Sequence, residues 1–357
     1  MNSEPKNYQS GSNRRYLFAL LVITLAVTAA LYLWPKPGQQ IFENGEGGIQ
    51  LPKVKIGIQV SPAMAVVMVA EEKGFFDAEG VDVTLERFTA GKFALQAALA
   101  GAVDYAVSGE VPTCLAVLQG NELRVVTQVV ERTINEVRVV ARRDEHSESA
   151  QSYFNAKKRK LSTSFGGGPE MYTYSFLKYH GIQTADVEII SQKPEDMSAA
   201  LESGSVDAIA IFDPFAFIAE KRLGDKAVTF TDDEVYSELY VLNASPSQIA
   251  KQPEVLEKLL RALLKASEFI EQNPTEAKRI VVDFTKLDAD VVEGIWASFV
   301  FRPALTSQLV QYWEAEVEWA RQTGKVDKAT VTPDFRAKVI DASILQRVSP
   351  ESVRLEK

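Results

Sequence analysis

Cysteine and histidine are nearly absent from this 357-residue chain, which has one Cys (Cys114) and two His (His146 and His180). A single thiol forms no intrachain disulfide, and a Cys-rich metal site is excluded with it. Two histidines leave little for a His-based metal site or a catalytic triad. An excess of positive charge is missing too. Lys and Arg total 39 against 48 Asp and Glu, a formal net charge of -9. With no basic stripe to neutralise phosphates, nucleic acid is not an expected partner. What is present, 46% hydrophobic and 24% charged residues, is the composition of a globular protein long enough for two domains with their own cores.

One long apolar run stands out. Residues 16–34 carry no charge, follow Arg14-Arg15 and precede Pro35-Lys36-Pro37. About nineteen such residues are enough to span a bilayer as a helix. A cleaved secretory signal is the alternative, but its apolar part is shorter and ends at small residues. Here Leu31-Tyr32-Leu33-Trp34 carries the run past the small residues at 26–30. The expectation is an uncleaved anchor, with residues 1–15 cytoplasmic and the rest of the chain exported. Residues 35–52, with Gly38, Gly45, Gly47 and Gly48, form a flexible linker.

From residue 53 onward strands and helices alternate. Lys53-Val54-Lys55-Ile56-Gly57-Ile58 has the alternation of a half-buried strand. Ser61-Pro62 opens a helix to Glu72, which Lys73-Gly74 ends. Strands at 81–88 and 103–107 flank a helix at 92–100, and a helix at 112–118 follows. This order implies a parallel sheet with helices on its faces, and ligands in such sheets sit outside the carboxyl ends of the strands. Valine-rich strands are expected at 123–130 and 137–141. Next comes a charged surface connection at 142–160, whose basic cluster Lys157-Lys158-Arg159-Lys160 reads as a solvated lead-in to a strand. A second α/β set has strands at 160–165, 187–190, 206–212 and 227–231, with helices at 170–179, 194–202 and 214–223. Beyond Tyr240 the pattern is mostly helical, led by the Leu256, Leu259, Leu260, Leu263, Leu264 and Ile270 stripe.

Ser61-Pro62, Val111-Pro112, Gly168-Pro169 and Asp213-Pro214 each place proline at a helix start. Ser61 and Asp213 suit the N-cap, Gly168 tolerates it, and Thr89 or Gly91 caps the helix from Lys92. Several helix N-termini, with free N–H groups and positive dipole ends, are thus expected along one edge of each sheet. Gly166-Gly167-Gly168 permits close approach of backbone to ligand. It lacks both the Walker Gly-Lys-Ser/Thr ending and the dinucleotide spacing. Three acids, Glu110, Glu170 and Asp213, sit by the same turns. They read either as helix-terminus acids or, Asp213 foremost, as partners for an amino group of a ligand. No nucleophile, metal set or histidine accompanies them as catalytic machinery would require.

Ile56-Gly57 through Ser61-Pro62, Ala70-Glu71-Glu72-Lys73-Gly74-Phe75-Phe76, Glu79-Gly80-Val81-Asp82-Val83 and Gly109-Glu110-Val111-Pro112 resemble the extracellular solute-binding proteins of ABC importers. The similar branch is named for nitrate, sulfonate, taurine and thiamine-precursor uptake. Asp196-Met197-Ser198-Ala199-Ala200-Leu201, Asp213-Pro214-Phe215 and Leu260-Arg261-Ala262-Leu263 extend the likeness. The resemblance implies an α/β, two-lobed periplasmic-binding-protein (type II) fold. Each lobe would have a mainly parallel sheet, with 53–141 and 238–357 as lobe one and 142–237 as lobe two. It implies ligand contacts at Ser61, Thr89, Gly91, Gly109, Glu110, Ser164, Gly166, Gly167, Gly168, Glu170 and Asp213. It also implies no cofactor or metal, a small anionic or zwitterionic solute, a permease and its ATPase as partners, and a monomer on the periplasmic side of the cytoplasmic membrane. No lipid-anchoring cysteine follows the apolar run, so the helix at 16–34 would replace the lipid. Two other readings are an enzyme of the pyrimidine-synthase kind and a ligand sensor. The enzyme is opposed by the export segment and the scarcity of Cys and His. The sensor would need a separate output protein.

Overall fold

Alternating apolar residues build the first strands where the pattern predicts them. A computed structural model describes residues 51–132, 136–232, 235–236 and 238–355. The anchor expected at 16–34 and nearly all of the linker lie outside the described residues. Among the described residues no helix is long and apolar enough to cross a membrane. Besides a two-stranded pair at Leu305–Thr306 and Val353–Arg354, the strands are β1 (Lys53–Gln59), β2 (Asp82–Phe88), β3 (Tyr105–Gly109), β4 (Arg124–Arg132), β5 (Arg138–Arg142), β6 (Arg159–Thr163), β7 (Val187–Ser191), β8 (Ala208–Ile211), β9 (Ala227–Phe230), β10 (Tyr240–Ala244) and β11 (Phe299–Val300).

They form two sheets, in the orders β11-β4-β10-β3-β1-β2 and β7-β6-β8-β5-β9. Helices and a separate apolar core accompany each sheet, so the fold is α/β with two lobes. Both sheets are mixed rather than mainly parallel. β1 pairs in parallel with β2 and β3, and β6 with β7 and β8. β10 runs antiparallel to β3 and β4, and β5 antiparallel to β8 and β9. The antiparallel strands are the ones beside the two passages of the chain between sheets. The run 137–141, expected in lobe one, is β5 and pairs in the second sheet.

The leucine stripe becomes the helix Pro253–Gln272, which buries Leu256, Leu259, Leu260, Leu263 and Ile270 against the first core. At about 1.5–3 kcal/mol per buried side chain, this stripe outweighs any helix-propensity term. The helix Ser307–Gln322 serves both lobes. Leu309, Trp313 and Val317 belong to the first core, whereas Trp319 and Ala320 belong to the second. The expected surface connection at 142–160 holds the short helix Ala150–Asn155. Arg159 is buried there rather than solvated, with its guanidinium 3.8 Å from the centre of the Tyr153 ring and 2.6 Å from Asp144.

Candidate functional site

Every sequence-predicted turn follows the carboxyl end of a parallel strand, and the two lobes meet along that edge. After β1, Ser61 is buried and caps the 3-10 turn Pro62–Met64, its Oγ accepting the Ala63 N–H at 3.3 Å. The same hydroxyl donates to the carbonyl oxygen of Asp213 in the other lobe at 3.4 Å. After β2, Thr89 is exposed, and Ala90 rather than Thr89 or Gly91 holds the N-cap of the helix Gly91–Leu99. The Gly91 N–H donates to Gln59 Oε1 at 3.0 Å, and a Cβ at Gly91 would lie 2.9 Å from Ser108 Cα. After β3, Gly109 is the N-cap of the helix Glu110–Leu118, so Pro112 stands third in that helix rather than first.

The second lobe contributes two turns. After β6, Gly166 adopts a left-handed φ of 80° and donates its N–H to Glu170 Oε2 at 2.7 Å. Gly167, not Gly168, is the N-cap of the helix Gly168–Tyr179. The other Glu170 oxygen meets Lys325 Nζ at 2.5 Å. Ser164 is buried and accepts from Lys92 Nζ at 2.9 Å, and Lys92 also donates to the Phe165 carbonyl at 2.6 Å. Burial pulls the Lys92 ammonium below the usual lysine range, against the upward pull of Glu170 and Glu195. After β8, Asp213 precedes a cis bond to Pro214. Its helix begins one residue later than expected, at Phe215.

Asp213 is not left open for an ammonium group. Its Oδ2 lies 2.9 Å from Arg138 Nη1, and its Oδ1 accepts the Phe217 N–H at 3.1 Å. Arg138 also holds both Glu220 oxygens at 2.8 Å. Burial raises the Asp213 carboxyl above its usual range despite Arg138. Burial works upward on Glu220 too, yet the Arg138 hydrogen bond and charge bring it below.

The second passage between the lobes supplies residues that carried no sequence signal. Glu110 accepts from the Tyr236 hydroxyl and, at 2.7 Å, from the Leu239 N–H. The Tyr240 hydroxyl donates to Glu136 at 2.6 Å and accepts from Gln59 Nε2 at 3.0 Å. Glu238 lies beside both helix starts. A Cβ on Gly109 would fall 2.7 Å from its Oε1, and one on Gly168 3.0 Å from it. Glu238 therefore crowds the two helix starts expected to face a solute anion. Glycine at both positions is a matter of space. The close approach expected of the triglycine turn is real at Gly168, but its neighbours are Tyr236 and Glu238 of the passage. Among the described residues no cluster of three or more His, Cys, Asp or Glu is placed to hold a metal ion.

Two α/β lobes meeting at their carboxyl edges define a two-lobed binding-protein fold. The chain belongs to the NMT1/THI5-like family, whose model matches residues 61–277, more than half of the sequence. Among its relatives is a Bacillus subtilis (strain 168) protein that carries the name of an aliphatic sulfonates-binding protein, 23% identical over 86% of this chain and 92% of its own. A Haemophilus influenzae protein named for thiamine biosynthesis is 24% identical over 80% of this chain and 93% of its own. The crystal structure of the periplasmic nitrate-binding protein NrtA from Synechocystis PCC 6803 superposes with a TM-score of 0.71 at 14% identity. It covers 85% of this chain and 89% of that one. The resemblance drawn from the sequence is borne out.

Proposed function

We propose that this chain is the extracytoplasmic solute-binding component of an ABC importer, which captures a small anionic or zwitterionic solute by closing its lobes. One observation carries the reading: the predicted ligand turns of opposite lobes touch each other, Ser61 on Asp213 at 3.4 Å and Lys92 on Ser164 at 2.9 Å. A ligand favours such a closed form through contacts that an open form lacks. The names of its relatives support aliphatic sulfonates or nitrate as the solute class, with taurine as an amino-bearing sulfonate and a thiamine precursor as the further candidates. Residues 16–34 would tether the protein to the cytoplasmic membrane on its periplasmic side, with a permease and its ATPase as partners and the chain itself a monomer. Sheet membership supports a lobe one of residues 53–132 continued from 240, and a lobe two of residues 138–230.

Catalysis is not part of the reading. The Cys114 thiol is buried, and burial pushes it away from the reactive thiolate. His180 is held against Asp232 at 2.6 Å. The test is thermal unfolding of the full chain with taurine, an alkanesulfonate, nitrate and an aminopyrimidine in turn. A true solute at a hundredfold excess over its Kd stabilises by about 2.7 kcal/mol. At least one should raise the melting temperature. Four flat results would discard the solute class.

A further inference from the structure

Where three helices meet the edge of the first sheet, the chain leaves a recess that none of the predicted ligand turns lines. The helix Pro253–Gln272 stops before Asn273, and Pro274, which suits a first turn and not a helix interior, begins the helix Pro274–Thr285. The helix Ala289–Trp296 is followed by β11, an edge strand of the sheet. Ile270, Pro274, Trp296, Phe299 and Phe301, from these ends, wall a space of about 260 Å³. Phe301 is the middle ring, its centroid 4.7 Å from that of Trp296 and 5.6 Å from that of Phe299. Ser267 Oγ fixes the backbone there by donating to the Phe301 carbonyl at 2.5 Å. Ring contacts at these distances are favourable in themselves, so the aromatic wall is a fixed one.

Charge of both signs completes the lining. Glu271 and Arg302 both border the recess without pairing with each other, and neither has a hydrogen-bond or ion-pair partner among the described residues. Lys278 Nζ lies 5.9 Å from the centre of the Trp296 ring, but both Glu293 oxygens hold it at 2.8 Å. The charge on offer is therefore one carboxylate and one guanidinium, set apart around apolar rings. A guanidinium meets a carboxylate with two parallel hydrogen bonds, and a carboxylate takes an ammonium. A ligand with a single charge leaves one of the two unmatched. Volume narrows the class further. About 150 Å³ of apolar cavity is enough for benzene, so 260 Å³ admits one ring with a short charged head.

We propose that this recess is a binding site for a free aromatic α-amino acid. Its carboxylate meets Arg302, its ammonium meets Glu271, and its ring lies against Trp296 and Phe301. The site shares no lining residue with the predicted ligand turns, so the inference goes beyond the receptor reading and stands or falls apart from it. Nitrate and short alkanesulfonates lack the ring and the second charge, which makes them poor occupants.

Equilibrium dialysis of the full chain against L-phenylalanine tests the site. One saturable equivalent should bind, and alanine, which lacks the ring, should bind at least about tenfold more weakly. Arg302→Gln should weaken phenylalanine about tenfold and leave phenethylamine, which has no carboxylate, unchanged. Glu271→Gln should weaken phenylalanine and phenethylamine alike and spare phenylpropionate, which has no ammonium. Both side chains are exposed, and such substitutions leave a fold intact. Three results would each overturn the proposal. The first is no saturable uptake of phenylalanine, and the second is uptake that neither variant changes. The third is uptake lost in Ser61→Ala, which would put the amino acid in the cleft.

Discussion

Both lobes bury carboxylates where strands end and helices begin, and they accommodate the charge in different ways. In the second lobe Asp213 and Glu220 share Arg138, with contacts of 2.8–2.9 Å. In the first lobe Glu110 takes a hydroxyl and a backbone N–H from the second passage. Glu316, buried on the helix Ser307–Gln322, lies close enough to Glu110 and the Cys114 thiol to feel both. Burial, and then the nearby Glu110, raise its carboxyl well above the usual range. A buried charge needs a partner or must be neutralised. The second lobe sets a cation between its two acids and the first has none beside Glu316 among the described residues, so Glu220 and Glu316 change stability with pH in opposite directions.

The largest effect should come from removing the shared cation. Arg138→Met leaves two carboxylates without their guanidinium, and breaking such a buried set costs about 3–5 kcal/mol. Urea unfolding measures this, and a loss below about 1 kcal/mol would mean the pair is solvated in solution. Glu316→Gln should act the other way and with the opposite pH trend. A carboxyl with a raised folded pKa costs stability above its unfolded value of 4.5, and the cost grows by about 1.4 kcal/mol per pH unit until the folded value is reached. Gln escapes that cost. The variant's advantage should therefore be absent at pH 4 and rise with pH, and a flat difference would remove the proton from the comparison. For Glu220 the sign reverses: its lowered pKa gives stability that is present above the ordinary value of 4.5 and is lost as pH falls through the folded one.

Smaller effects separate space from backbone strain at the triglycine turn. Gly168→Ala sets a methyl group 2.3 Å from the Tyr236 hydroxyl and should cost about 1–3 kcal/mol by overpacking. Gly166→Ala meets nothing within 4 Å but takes a φ of 80°, a left-handed cost of about 1–2 kcal/mol. Only the Gly168 change should also disturb the passage between lobes, read as faster amide exchange at Leu239. The least is expected of Ser61→Ala, about 1 kcal/mol for a lost cap, together with weaker binding of whichever solute proves active.

The strands and helix starts could be read from local chemistry because their causes are local. Alternation in β1, proline after Ser61 and the leucine stripe at 256–270 each act within a few residues. The site could be read only as a set of turns. Ser61 and the triglycine turn bear recognisable residue types, whereas Arg138 opens a strand and looks like a surface residue. Its partners lie 75 and 82 residues away, and only the completed second sheet brings them to it. Lys92, in the first turn of a helix, gives no sign of its partner for the same reason, since Ser164 is 72 residues distant. Strand β10 was missed because Tyr240-Val241-Leu242-Asn243-Ala244 is buried along its whole length. Such a run shows no alternation and cannot be told from a buried helix by periodicity. Asp213 shows the limit of residue type: a carboxylate at a helix start suggested a ligand contact, and the fold supplied it with a guanidinium.

Strand β10 has a consequence for how the molecule is made. It begins at residue 240 and lies between β3 and β4, which otherwise do not touch in the sheet. A chain synthesised from its N-terminus has β1 to β4 in hand long before the strand that joins β4 to the others exists. Until then β3 and β4 expose unpaired edges, the kind of surface that pairs with other chains. The second sheet draws all five of its strands from residues 138–230 and waits for nothing downstream. On the ribosome, the sheet that is second in sequence is the first to be complete, while its core still waits for Trp319 and Ala320.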